Sequence, residues 1–142
     1  MCENKYECLS NWLNNYPALY NWLHFNASKM EAENVSLNSV SGERKLEEYI
    51  DGSYKAELYF ALILVKPFDF ETSETNMQAM LEIVNFMDWV DNKENIDLLY
   101  FGSDVIVDKV DVLQSSPNMV IDTEQSLAKY QFQAKVTYIQ NV

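Results

Sequence analysis

Residues 44–66 constrain this chain more than any other stretch, because they carry two strand-like runs around one tight reversal. Residues 44–50 alternate, with Leu46 and Ile50 on one side and Lys45, Glu47 and Tyr49 on the other. Asp51-Gly52 tolerates the positive φ that a hairpin turn demands. In residues 54–66, Tyr54, Ala56, Leu58, Phe60, Leu62 and Leu64 share one face. The opposite face starts with Lys55 and Glu57 but finishes with Tyr59, Ala61, Ile63 and Val65. A strand apolar on both sides is buried on both sides, so its second half is expected at the centre of a sheet or at a subunit contact. Pro67 ends it, since proline cannot donate to the ladder.

The flanking segments supply helices and further strands. Leu9, Trp12, Leu13 and Tyr16 fall at helical spacing, and Leu19, Trp22 and Leu23 continue an apolar face past Pro17. Residues 35–40 predict a short strand, and Ser41-Gly42 a turn. Thr75 and Gln78 have capping-box spacing ahead of a long helix. Along it, Met77, Met80, Leu81, Val84 and Met87 fall on one stripe, widened by Ile83, Phe86 and Val90. The methionines fit either a core stripe or an adaptable binding groove, and the spacing favours the core. Asp91-Asn92-Lys93 reads as the helix end. Residues 105–107 and 110–113 read as strands, with a turn over residues 115–118. Tyr130, Phe132, Ala134, Val136 and Tyr138 alternate with polar neighbours, the clearest period-two signal in the chain.

These elements predict one α+β domain over residues 1–142. Its mostly antiparallel, mixed sheet has a helical segment over residues 1–26, and one long helix packs on a face of residues 35–142. At 142 residues the chain is long enough to bury a core without staples. Ten basic against 22 acidic side chains give a net charge of -12, which repels phosphate and predicts no direct nucleic-acid binding. The longest apolar run is far short of a membrane span, and no signal peptide is expected. Cys2 and Cys8, six residues apart, would not face each other on one helix and read as two reduced thiols of a cytosolic protein.

No reactive constellation emerges. His24 is the only histidine, so neither an HExxH pair nor a Cys2His2 site can form. The glycines at 42, 52 and 102 make no phosphate cradle, and no GxSxG elbow occurs. Asp104, Asp108 and Asp111 read as solvated acidic surface. No catalytic residue, metal site or cofactor is expected, and the chain reads as a binding or structural protein rather than an enzyme. Phe68 and Phe70, two aromatics in a predicted loop, either invite a partner or fold back under the sheet edge. The turn carrying Pro117 and Met119 is a second candidate contact.

A succession of short motifs gives a more specific expectation. Tyr49-Ile50-Asp51-Gly52 is followed by Tyr59-Phe60-Ala61-Leu62, then Phe86-Met87-Asp88-Trp89-Val90, then Ala128-Lys129-Tyr130-Gln131-Phe132-Gln133 and a closing Tyr138. In this order they resemble the tail-terminator-like or minor capsid proteins of tailed phages that infect Gram-positive bacteria. The stretches around Ser73 and over residues 96–102 depart from that pattern. The resemblance implies a structural protein that caps the tail tube and joins it to the head connector. It implies a homo-oligomeric ring, hexameric in most members, assembled in the bacterial cytoplasm and resident at the head–tail junction of the virion. An acidic ring would let DNA slide without sticking if its charges reach the lumen. The alternative is a small cytosolic ligand-binding or regulatory α+β domain with a pocket between sheet and helix, near Trp89.

Overall fold

A computed structural model describes residues 4–17, 24–25, 33–69 and 73–141. The described elements are α1 (Lys5–Leu13), β1 (His24–Phe25), β2 (Val35–Glu48), β3 (Tyr54–Pro67), α2 (Ser73–Asp91), α3 (Lys93–Ile96), β4 (Val105–Val112), β5 (Asn118–Asp122) and β6 (Leu127–Gln140). The fold is α+β. The strands form one sheet in the order β1-β2-β3-β6-β4, with β5 also paired to β6. All neighbours are antiparallel except β1 and β2. The predicted second N-terminal helix, with Leu19, Trp22 and Leu23, lies outside the described residues. So does Phe70.

The hairpin forms where Asp51-Gly52 predicts it. Gly52 sits at φ 90, its N–H donates to the Tyr49 carbonyl, and Asp51 Oδ1 accepts from the Ser53 N–H at 3.0 Å. The reversal expected at Ser41-Gly42 does not occur. Residues on either side belong to one strand, β2, and the register against β3 shifts between Ser39 and Glu43. Gly42 takes φ 70 inside this irregularity. A bulge and a turn both call for a residue that tolerates positive φ, so the same glycine serves either. The two strands expected over residues 105–113 are likewise one strand, β4, with a register shift between Val107 and Lys109.

β3 is central, between β2 and β6. Leu58, Phe60, Leu62 and Leu64 are buried on one face, where they lie opposite Val136, Ala134, Phe132 and Tyr130 of β6. On the other face Ala61 and Val65 are also buried, while Tyr59 and Ile63 are half-buried. The central position accounts for the two-sided burial, so the apolar second half of β3 needs no subunit contact.

α1 and α2 pack on the face that carries Phe132. Phe86 meets Phe132 edge to face at 6.0 Å between ring centroids, and Tyr16 stacks on Phe86 at 4.7 Å. Trp12 lies 5.2 Å from Trp89, and its indole N–H donates to the Asn95 carbonyl at 2.8 Å. The side of α2 turned to the sheet covers part of the expected apolar stripe, namely Ile83, Phe86, Met87 and Val90, but not Met77 and Leu81. Ala79, Ile83, Phe86, Met87 and Val90 are buried, whereas Met77 is 69% exposed and Leu81 52% exposed. Ala79 fits where a longer side chain would hold the helix off the sheet, and that rotates Met77 and Leu81 outward. The helix also starts at Ser73, ahead of the expected Thr75.

Cys8 is disulfide-bonded, with its partner outside the described residues, which overturns the reading of two reduced thiols. The spacing argument against a disulfide holds only within one helix, and α1 begins at Lys5 with Asn4 as its cap.

Candidate functional site: an open strand edge and its support

β4 and β5 run one after the other along the same side of β6. Between them the ladder has a gap, and the chain fills it with a side chain. Gln114 Oε1 accepts the Gln133 N–H at 2.8 Å, and the Leu113 N–H donates to the Gln133 carbonyl at 2.9 Å. Gln114 thereby acts as a missing strand residue and holds the jog that leads through Pro117 into β5. Removing the amide in Gln114→Ala leaves a part-buried N–H without its acceptor. The expected loss is about 1–2 kcal/mol in urea denaturation, and Gln114→Glu, which keeps an acceptor oxygen, is expected to recover most of it.

No strand signal for β5 stands out from its turn-rich flanks in the sequence. It is five residues long, paired on one side only, and ends in a turn built by Asp122, whose Oδ1 accepts from the Glu124 and Gln125 N–H groups at 3.0 and 3.2 Å. No strand lies outside it among the described residues. Its side chains are nonetheless apolar. Met119 and Ile121 lie on the helix side and Val120, 65% exposed, on the opposite side. A short apolar edge with unpaired backbone groups is a template for another chain.

The sequence-predicted contact residues fall around this edge. Met119 is on β5 and exposed, and Pro117 is buried at its entry. Phe68 is half-buried against the core, and its backbone N–H donates to the Ser126 carbonyl in the β5–β6 turn at 2.8 Å. Residues from two loops distant in sequence are thus tied to the two ends of one hairpin. Nothing in the sequence links them, because the link is a register made by β6.

The face of the sheet away from α1 and α2 carries a short ionic cluster. Glu57, buried on β3, accepts from Lys135 Nζ of β6 at 2.5 Å and from the Tyr59 hydroxyl at 3.1 Å. The Lys135 hydrogen bond holds the Glu57 carboxyl below its ordinary range, partly opposed by burial. A depressed carboxyl stabilises the fold above the unfolded carboxylate range, and that contribution is lost as pH falls through the depressed value. The stability gap between wild type and Glu57→Gln is therefore expected at pH 7 and should close toward pH 3 in urea titrations. A gap independent of pH would show that the ion pair contributes nothing.

A second cluster lies between sheet and helix. Lys66 is buried, with Nζ 2.6 Å from Glu33 and 2.8 Å from Glu82. A cavity of about 380 Å³ opens beside it, lined among others by Glu74, Thr75 and Gln78. No group of three or more metal-ligating side chains suited to an ion occurs among the described residues. No helix among them is long and apolar enough to cross a membrane. No protein-family model and no curated protein matches the sequence.

Proposed function

We propose that this protein is a structural component of a tailed phage, a ring-forming tail terminator or minor capsid protein that caps the tail tube and joins it to the head. The observation that carries the reading is the β5 edge. Among the described residues no strand pairs with its outer side, and it presents the apolar side chains of Met119, Val120 and Ile121 where an edge normally carries charge. A contact between two different surfaces of neighbouring copies, repeated with a rotation that closes, makes a ring. The order of motifs from Tyr49 to Tyr138 supplies the family. The net charge of -12 suits a passage for DNA. A disulfide at Cys8 is compatible with a particle that leaves the reducing cytoplasm in which it assembles.

Light scattering on a size-exclusion column, over a concentration series and with or without purified tail tubes, tests the proposal. A species of six chains, or stoichiometric capping of tube ends, is the expected outcome. A monomer that ignores tail tubes would refute it. The cavity beside Lys66 favours the second reading, a ligand-binding or regulatory domain. A metabolite that raises the melting temperature of a strictly monomeric protein would establish that reading instead.

A further inference from the structure

The outward side of α2 carries an apolar strip that, among the described residues, neither the core nor the β5 edge uses. Met77 and Leu81 are exposed, and Met80 and Val84 are half-buried beside them. Their spacing of i, i+3, i+4 and i+7 makes one continuous strip on the helix. A depression of about 700 Å³ runs along it, and Ser73, Glu74 and Gln78 complete the described lining. The strip is bounded by carboxylates at both ends, Glu74 in the first turn and exposed Asp88 beyond Val84. These two lie about 21 Å apart along the axis at 1.5 Å per residue. No basic side chain belongs to the described lining. Lys66, at the neighbouring cavity, is already held by Glu33 and Glu82.

We propose that this face docks an amphipathic helix of another protein, one with an apolar stripe about three turns long and basic residues at both ends. The methionines supply side chains that adjust to a partner's shape, as flexible thioethers do in apolar helix-binding grooves. The carboxylates choose the partner's charge. A second copy of this chain is a poor occupant, because an antiparallel two-fold pairing of α2 faces would set Glu74 against Asp88 in both halves. Each copy also brings a net charge of -12. A lysine- or arginine-flanked helix meets the same carboxylates with opposite charge and leaves Met77 and Leu81 dry. The inference stands apart from the ring proposal, since it concerns a different face.

Fluorescence anisotropy with a labelled synthetic helix tests it. The probe carries about 18 residues, leucines at i, i+3, i+4 and i+7, and two lysines at each end. Controls are the same peptide with glutamates for lysines, and a scrambled one. Saturable binding of the lysine-flanked helix is expected, weakening several-fold between 50 and 300 mM salt as the flanking charges are screened. Leu81→Glu is expected to weaken it about tenfold or more. Met77→Gln, a milder change at an exposed site, should act in the same direction if Leu81→Glu fails to fold. Equal binding of the glutamate-flanked or scrambled peptide would overturn the proposal. So would full binding to both variants, no binding of the lysine-flanked peptide, or loss of self-association in Leu81→Glu, which would assign the face to a second copy.

Discussion

Replacing Val120 by lysine is expected to keep the chain monomeric without unfolding it, if the β5 edge is the ring contact proposed above. Val120 is 65% exposed and lies on the sheet face away from α1 and α2, so the fold loses little when it changes. In a ring that uses this edge the same side chain would be buried. Losing an apolar contact of that size costs about 2 kcal/mol per interface. The ammonium must also be desolvated, and lysine on an edge strand is the usual device that blocks strand addition. A closed ring repeats the loss at every contact, so the shift in assembly is far larger than any change in melting temperature. Light scattering should show the six-chain species replaced by single chains, with the thermal transition within a few degrees of wild type. Val120→Thr, which keeps the shape and β-branching, should still assemble. If Val120→Lys assembles as wild type does, the subunit contact lies elsewhere on the surface. If it unfolds, Val120 has a role in the fold that its exposure does not reveal.

The double change Glu33→Gln and Glu82→Gln is expected to cost about 3–5 kcal/mol, the scale for leaving a buried charge without its partners. Lys66 is the buried member, while the two carboxylates that reach it keep some solvent contact. Burial alone pulls the ammonium down, but its hydrogen bonds to Glu33 and Glu82 more than offset this and hold it above the ordinary lysine value. The stabilisation is therefore present in full below the unfolded lysine value and is lost only as pH rises through the raised one. Without these two carboxylates burial weighs more heavily, and the variant's lysine is expected to fall below its ordinary value. Between that lowered value and the unfolded one, the unfolded chain binds more protons, so the variant gains stability as pH rises. The deficit against wild type should be widest near neutrality and narrow toward pH 10, read from urea denaturation at several pH values. A deficit under 1 kcal/mol, or one that does not change with pH, would mean that water already solvates the cluster.

How far these features were legible in the sequence differs from element to element. The Asp51-Gly52 reversal could be read because the type of residue that tolerates positive φ stands between two alternating runs. β6 can be read because one of its faces packs toward α1 and α2 while the other carries polar side chains, which gives strict alternation. The continuous β2 could not, since Gly42 carries the same signal whether the chain turns or bulges. The buried side of α2 is legible in part, since Ile83, Phe86, Met87 and Val90 belong to the apolar stripe, but periodicity counts large apolar residues and so gives no weight to buried Ala79 while including exposed Met77 and Leu81. Of the candidate site, Pro117 and Met119 were picked out as a turn, but β5 itself was not, because a strand paired on one side has only weak alternation. The Gln114 bridge to Gln133 exists only once the register of β6 is set. The ionic cluster at Lys66 joins residues 33, 66 and 82, a meeting that no local pattern announces.

The position of β6 bears on how the protein is made. It is the last strand in sequence, yet it borders β3, β4 and β5. While the nascent chain emerges from a ribosome, β3 has only β2 beside it, and Leu58, Phe60, Leu62 and Leu64 have no Val136, Ala134, Phe132 or Tyr130 to lie against. Some seventy residues separate the end of β3 from the end of β6, which at ordinary elongation rates is roughly 4–15 s. For that interval an apolar hairpin stands open to every other chain in the cell. Synthesis thus passes through a window in which a holdase, or a slow supply of message, decides how much protein reaches the folded state. The cooperative step waits for residues 127–140, and it is a slow one, because its defining contacts join segments far apart in sequence.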